Sequence, residues 1–410
     1  MTTHTTDDHA DPLAGTGCPV AQFRALRERG PVVDTAIVGT RTTVMVTGHD
    51  DVRAVLTDAR FRSDAGTVEG AEDAAAAMFA FLGLPPDVDY LGRGLLTRDG
   101  ADHSRLRKLV SRAFTVRRVN GLRPRVETIT ERLLDDVASA GADGSAVDLV
   151  TALARPLPIA VICELVGVPE DDRDRWDRLG RLLIDPDPER MPDAVRAVVA
   201  QIEELITARR AEPADDLLTA LVEVHDDDGD RLTEREMVTM VFDIVTAGFE
   251  TTAHLVAKAV QALLTRPDQL AALRAEPGLW PQAVHELVRI CGPIPVTVPR
   301  YATEDVDVDG VTVPAGSTVM AALLSANTDP RVLDRLEELD VRRDPGRGEG
   351  HVGFGQGAHY CLGAALARQE TEVVLRALFT RFPALRLAVD PGPEPSQLGF
   401  QRLAELPVRI

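Results

Sequence analysis

The chain has 410 residues, of which 44% are hydrophobic and 27% are charged, a composition typical of globular proteins. Its formal net charge of −20 argues against nucleic-acid binding, because an acidic surface repels phosphate backbones. The four cysteines lie far apart without CxxC spacing, which argues against a zinc site or a disulfide framework. Reduced thiols in the cytoplasm fit this pattern best. The cysteines are Cys18, Cys163, Cys291 and Cys361.

Residues 1–19 are polar and lack the basic and apolar segments of a signal peptide, so we expect a flexible tail. A strand is predicted from about Thr42 to Val46, followed by a turn and a helix. Residues 119–140 and 192–211 place apolar side chains at three- and four-residue spacing, which predicts long amphipathic helices.

Residues 237–264 form the most apolar helix candidate and predict a buried central helix. Asp243, Glu250, His254 and Lys258 interrupt it, so a membrane span is excluded. Glu250 raises a question, because burying an unpaired carboxylate is costly.

Strand-like alternation returns late in the chain, with turns predicted at Asp309-Gly310 and Pro314–Gly316. No repeat or linker divides the sequence. We therefore expect one mainly α-helical domain over residues 20–410 with a smaller β-sheet portion.

Cys361 follows a glycine-rich stretch, residues 351–360, and precedes a clear helix. A thiol at a helix start faces free N–H groups and the positive end of the helix dipole, which favour the metal-binding thiolate. A single cysteine suits a metal that already has most of its ligands, such as a haem iron. Three alternatives stay open at this point: an inert core cysteine, a nucleophile with His359 as its base, and a phosphate-binding loop.

The stretch resembles the haem-binding signature of the cytochrome P450 family, FGxGxHxCxGxxLAR, in its bacterial, soluble branch. The similarity runs from about residue 20 to the C-terminus. The matching residues are Phe354, Gly355, Gly357, His359, Cys361, Gly363, Leu366, Ala367 and Arg368.

The resemblance implies a P450 fold, with haem b between the central helix and the cysteine-loop helix. Cys361 would ligate the iron, and Phe354, Gly355 and Gly363 would bind the haem around it. His103 and Arg107, four residues apart on one helix, resemble a propionate-binding pair. Arg300 and His359 would complete the cations around the propionates. Without Cys361, a solvated helix face is the simpler interpretation of His103 and Arg107.

Residues 247–252 resemble the oxygen-activation motif of the family. Ala247 and Gly248 would leave space over the haem. Glu250 and Thr251 would be the catalytic pair, since proton delivery to oxygen requires an acid and an alcohol. This role would explain the carboxylate in an apolar helix.

Glu286 and Arg289 match the ExxR motif of the family, a buried structural pair; the alternative is a surface ion pair. The arginine expected as a third member is replaced by Glu338. Either another arginine (335, 342 or 343) substitutes, or Arg289 binds backbone carbonyls instead.

No flavin or iron–sulfur module accompanies this core, so electrons would come from a ferredoxin and its reductase. Residues 98–118 carry five more basic than acidic side chains, with Arg105, Lys108 and Arg112 as the proposed docking residues. A solvated helix face is the alternative.

The segments that correspond to the pocket lining of the P450 family are mainly apolar in this sequence, which predicts a lipophilic substrate. Asp243 shares a helical face with Ala247 and would meet a polar or cationic substrate group, unless it pairs with a neighbouring helix. Other candidate substrate contacts are Thr246, Ala247, Ile294 and Val296.

The resemblance implies a monomeric monooxygenase that uses O2 to hydroxylate or epoxidise a secondary-metabolite intermediate, without nucleic-acid or membrane partners. Two alternatives stay open. One is a P450 that performs oxidative coupling or desaturation, and the other is a non-catalytic haem sensor.

Overall fold

The computed structural model describes residues 19–35, 43–81, 83–184, 189–225, 229–332, 335–336, 338–346, 348–389 and 402–410. Residues 1–18 of the expected tail lie outside the described residues. Within them, no helix is both long and apolar enough to cross a bilayer.

Helices dominate the structure. They are α1 (Pro19–Arg29), α2 (His49–Thr57), α3 (Ala74–Phe81), α4 (Gly100–Ala113), α5 (Val116–Ala140), α6 (Pro156–Val166), α7 (Arg173–Ile184), α8 (Met191–Ala211), α9 (Leu217–Glu223), α10 (Glu234–Leu264), α11 (Pro267–Ala275), α12 (Trp280–Cys291), α13 (Leu323–Asn327) and α14 (Ala364–Arg381).

The strands are short. They are β1 (Val32–Thr35), β2 (Thr43–Val46), β3 (Phe61–Arg62), β4 (Val147–Asp148), β5 (Arg300–Ala302), β6 (Val306–Val308), β7 (Val311–Val313), β8 (Thr318–Ala321), β9 (Arg386–Leu387) and β10 (Pro407–Arg409). The prediction of a mainly α-helical chain with a small β portion is confirmed.

Two compact units can be distinguished in the fold. Unit 1 comprises Met1–Ala74, His285–Cys361 and Gly392–Ala404, and unit 2 comprises Ala75–Val284, Leu362–Pro391 and Glu405–Ile410, of which only the described residues are discussed. The expectation of a single domain over residues 20–410 stays a prediction.

Unit 1 contains a five-stranded sheet in the order β1-β2-β8-β5-β3, in which β2 and β8 run parallel and the other pairs antiparallel. The separate hairpin β6–β7 turns at Asp309 and Gly310, whose φ angles are 48° and 80°. A two-residue turn with both φ angles positive suits the twist of a hairpin and favours Asp-Gly. The turn predicted from the sequence is confirmed.

Unit 2 is built around α10, the predicted central helix, which packs against α6, α8 and α14. Its first turn is a capping box: the Thr233 side chain accepts from the Glu236 N–H, and the Glu236 carboxylate accepts from the Thr233 N–H. This cap fixes where the helix begins, three residues before the predicted start at Met237.

Glu286 and Arg289 form a buried pair on α12, as the ExxR resemblance implied, and not a surface ion pair. Both are at most 3% exposed, and the guanidinium donates to the two carboxylate oxygens at 2.7 Å. Arg343 takes the expected third place, with its Nε 3.2 Å from Glu286 Oε2.

Backbone carbonyls accept the remaining hydrogen bonds of the Arg289 guanidinium. Nη1 donates to the carbonyls of Asn327 at 2.6 Å and Leu336 at 2.5 Å, and Nη2 donates to the carbonyl of Glu338 at 3.0 Å. The Glu338 side chain instead pairs with Arg335 in solvent. Both replacements considered for the missing arginine therefore occur together.

We predict that Arg289→Ala lowers the free energy of unfolding by about 3–5 kcal/mol, because it leaves Glu286 buried with its main partner removed. Denaturant titration measures this change. The matched control Arg335→Ala removes an exposed pair and should cost less than about 1 kcal/mol. Equal losses in the two variants would contradict the buried-pair assignment.

Candidate functional site

Cys361 lies in unit 1 at the end of the cysteine loop, by which we mean residues 349–361. Its side chain is exposed, two residues before the first turn of α14, and its N–H donates to the Phe354 carbonyl at 2.9 Å. Exposure excludes the core-cysteine alternative. The loop therefore presents one exposed sulfur at a fixed backbone position.

Three glycines of this loop have conformations that favour glycine. Gly350, Gly355 and Gly357 have φ angles of 69°, 72° and 76°, in the left-handed region. A Cβ on Gly357 would also lie 2.9 Å from the Leu56 carbonyl oxygen. The loop thus needs small residues for its own path and for its packing against α2.

Unit 1 contains two of the predicted propionate-binding residues, Arg300 on β5 and His359 in the cysteine loop. Arg300 is 6% exposed and its Nη1 donates to the Phe61 carbonyl at 3.4 Å. His359 Nε2 lies 3.4 Å from Ser63 Oγ, just beyond β3. Sequence analysis missed Ser63, because it lies 296 residues before His359 in the sequence.

Unit 2 holds the other two predicted propionate residues on α4. His103 is 4% exposed and Arg107 is partly buried, one helical turn further on. The simpler interpretation as a solvated helix face is therefore wrong for His103.

The middle of α10 is open where the oxygen-activation motif was expected. Ala247 is exposed although Val245 and Phe249 beside it are buried. The Thr251 hydroxyl donates to the Ala247 carbonyl at 2.7 Å, which fixes the alcohol one turn above this opening. A Cβ on Gly248 would collide with Ile162 of α6, so this glycine is required for helix packing, whereas the prediction gave it only space over the haem.

Glu250 has a neighbour that sequence analysis left unassigned. His254 is 2% exposed, and its Nε2 lies 3.7 Å from Glu250 Oε1 on the same face of α10. The spacing of four residues could have revealed this pair. The imidazole gives the partly buried carboxylate a polar neighbour.

Asp243 lies one turn before Ala247 and contacts the segment before α4. Its carboxylate accepts from the Leu95 N–H and leaves no room for a Cβ on Gly94. Burial raises the pKa of Asp243 from 3.8 to about 7. The folded protein then holds a proton that the unfolded chain has lost, so this group lowers stability as pH rises from about 4 to about 7.

The other substrate candidates are in different surroundings. Thr246 is partly buried and donates to the Phe242 carbonyl at 2.8 Å. Val296 is 3% exposed and packs in the core of unit 1 with Met45 and Met320, which contradicts its prediction as a pocket residue. Ile294 is partly buried against another core cluster of that unit.

The three predicted docking residues on α4 differ in what they contact. Arg105 forms ion pairs with Asp230 and Glu236, so its charge is neutralised within the protein, against the prediction. Lys108 and Arg112 are exposed, and Arg112 Nη1 donates to the His225 carbonyl at 2.7 Å.

The residues present suit haem in both units. Unit 1 supplies an exposed thiol, one imidazole (His359) and one guanidinium (Arg300). Unit 2 supplies a second imidazole (His103), a second guanidinium (Arg107) and the opening on α10. A thiolate is a proximal haem ligand, and cations suit the carboxylates of the porphyrin.

Comparisons with known proteins agree with this chemistry. Residues 174–277 and 279–404 match the family described as Cytochrome P450. The chain is 44% identical over 373 residues to 6-deoxyerythronolide B hydroxylase of Saccharopolyspora erythraea, covering 90% of this chain and 89% of the relative. It is 38% identical over 390 residues to mycinamicin IV hydroxylase/epoxidase of Micromonospora griseorubida, covering 93% and 91%.

A solved structure shows the same fold. Cytochrome P450 PksS of the Bacillus subtilis bacillaene polyketide synthase superposes with a TM-score of 0.85 at 33% identity, covering 95% of this chain and 96% of the other. Sequence motifs, fold and relatives thus agree. This chain belongs to the cytochrome P450 family, as a monooxygenase that carries protoporphyrin IX haem.

Proposed function

We propose that this P450 inserts one oxygen atom from O2 into a lipophilic secondary-metabolite intermediate, by hydroxylation or epoxidation, in the cytoplasm. The exposed Cys361 thiol at the start of α14 carries the proposal. The names of the two relatives, a hydroxylase and a hydroxylase/epoxidase, support oxygen insertion. Bound haem supplies the activation of O2 and, through its thiolate ligand, the electron donation that favours O–O cleavage.

The roles in holding the haem follow from the chemistry of each side chain. Cys361 provides the anionic sulfur, and the loop residues Phe354, Gly355 and Gly363 hold its backbone. The two propionates of the haem would be held by four side chains, His103, Arg107, Arg300 and His359.

Glu250 and Thr251 handle protons on α10. The Thr251 hydroxyl, held by the Ala247 carbonyl, presents its oxygen as an acceptor to a proton donor. The Glu250 carboxyl, one residue earlier, is the acid that supplies the proton. Ala247 keeps the helix surface next to this pair free of a bulky side chain, and Gly248 leaves room for Ile162 of α6.

The proposal predicts that the reduced, carbon-monoxide-bound protein shows the red-shifted Soret band of thiolate ligation. Cys361→Ser should abolish that band, because a hydroxyl does not replace the thiolate. Absorption spectroscopy measures it, with the buried Cys163→Ser as the control that retains the band. A red-shifted band in Cys361→Ser would contradict the assignment.

We propose a ferredoxin as the electron donor, docking at the exposed Lys108 and Arg112 of α4. Most ferredoxins are acidic, and the rest of this chain is too, so a local positive surface would steer them. Arg105 is left out because Asp230 and Glu236 already neutralise it.

Reversing both charges, in Lys108→Glu/Arg112→Glu, should lower ferredoxin-supported turnover about tenfold and flatten its dependence on salt. Steady-state kinetics at several ionic strengths measure this effect. The double reversal Arg175→Glu/Arg178→Glu, on the exposed part of α7, is the charge-matched control. Turnover driven by peroxide should be equal in wild type, the Lys108/Arg112 variant and the control. If the Lys108/Arg112 variant loses peroxide-driven turnover as much as ferredoxin-supported turnover, a docking role is contradicted.

We propose that Asp243, with Thr246 and Ala247 on the same face of α10, contacts a polar group of the substrate. The Leu95 N–H occupies one acceptor position of the carboxylate, which has several. A substrate amine, such as that of an amino sugar, would bind the charged form. Ile294 is kept as an apolar contact and Val296 is not.

Because the pKa of Asp243 is about 7, its negative charge forms only as pH rises through that value. Affinity for an amine-bearing ligand should therefore increase on raising pH through about 7, and Asp243→Asn should remove the increase. Titration of the ligand-induced spin-state shift measures affinity. A neutral analogue of the ligand should show no such increase, and identical pH profiles for wild type and Asp243→Asn would contradict the contact.

A further inference from the structure

The two ends of the cysteine loop are joined by a side-chain hydrogen bond. The Tyr360 hydroxyl donates to Glu349 Oε1 at 2.5 Å, across eleven residues of sequence. Tyr360 immediately precedes Cys361. Hydrogen bonds to a carboxylate are among the stronger ones in proteins, so this bond closes the loop directly beside the sulfur.

The second oxygen of Glu349 faces a buried imidazole within the same loop. His351 has a side chain that is 1% exposed, and its Nε2 lies 3.7 Å from Glu349 Oε2. Its Nδ1 accepts from the Gly353 N–H at 3.1 Å. A neutral imidazole that accepts at Nδ1 carries its proton on Nε2, which places an N–H next to the carboxylate.

Aromatic contacts connect these polar groups to the rest of the loop. The Phe354 ring lies between the rings of His351 and Tyr360, with centroid distances of 5.8 and 6.5 Å. The Phe354 carbonyl accepts the Cys361 N–H at 2.9 Å. A displacement of Tyr360 or His351 would therefore reach the backbone that holds the sulfur.

A metal site is the main alternative for these residues. His285, Glu349 and His351 can bring one ligand atom each within 4.8 Å of one another, and two histidines with one glutamate form a known zinc set. A metal-bound histidine normally donates its other N–H, however, whereas His351 Nδ1 accepts one. The hydrogen bonding of His351 favours a polar clamp over a metal site.

We propose that Glu349 is a positioning residue for the iron ligand: through its hydrogen bond with Tyr360 it clamps the cysteine loop and fixes the Cys361 thiolate. This inference rests on the proposed function, in which Cys361 binds haem iron. The clamp acts through the backbone of the loop, in which the Phe354 carbonyl accepts the Cys361 N–H.

Tyr360→Phe tests the clamp, because it removes one oxygen and keeps the ring. At a fixed denaturant concentration, the reduced carbon-monoxide complex should lose its red-shifted Soret band about tenfold faster than wild type. Glu349→Ala should have at least as large an effect, because it also removes the carboxylate next to His351, and the double variant should be no worse than Glu349→Ala, since both changes remove the same hydrogen bond. Glu349→Gln, which keeps an acceptor for Tyr360, should restore most of the stability of the band.

Tyr90→Phe is the matched control, since Tyr90 lies in unit 2, in the segment before α4, and should leave the decay rate unchanged. Unchanged decay in Tyr360→Phe, or independent additive effects of the Tyr360 and Glu349 variants, would overturn the clamp. Micromolar binding of Zn²⁺ that requires both His285 and Glu349 would also overturn it, in favour of a metal site.

Hydrogen exchange provides a readout that does not depend on iron ligation. Amides of residues 351–361 should exchange faster in Tyr360→Phe than in Tyr90→Phe in the purified holoprotein. If wild type lacks the thiolate band while exchange still rises, the proposed function fails and the clamp stands. If the band is present and exchange does not change, the clamp is wrong and the proposed function stands.

Discussion

A buried guanidinium must form its hydrogen bonds within the protein. In unit 1, the hydrogen bonds of the buried Arg289 begin a chain of contacts that leads to the cysteine loop. Arg289 binds the Asn327 carbonyl, and the Asn327 side chain in turn accepts the Val352 N–H at 2.8 Å. Val352 then accepts from the Gly355 N–H. Three successive contacts therefore connect the ExxR pair of α12 to the glycines that precede the sulfur.

Features governed by local rules could be predicted from the sequence. The central helix follows from its apolar pattern, and the β6–β7 hairpin follows from Asp309-Gly310, since few residue pairs adopt two positive φ angles. The cysteine loop was recognised because its glycines and its thiol have fixed spacing. These features depend on neighbours within about ten residues, which a single sequence displays.

Contacts between distant segments could not be predicted. Ser63 meets His359 from 296 residues away in the sequence. Arg343 was one of three arginines considered for the missing third member of the ExxR pair, and only the structure shows that it is the one that reaches Glu286. Val296 shows the reverse problem, since an apolar side chain suits a core and a pocket equally well. The change in hydrophobic free energy is the same in both, so the sequence carries no signal that separates them.

Gly94 and Asp243 have a consequence for attempts to alter the range of molecules that the enzyme accepts. A Cβ at position 94 would lie 2.2 Å from a carboxylate oxygen of Asp243, so a larger residue there requires the Asp243 side chain to move and the two positions are mutually dependent. Randomising position 94 alone would therefore also displace the Asp243 carboxylate. Shortening residue 243 first would open new combinations, and the order in which the two changes arise would decide which variants are reachable.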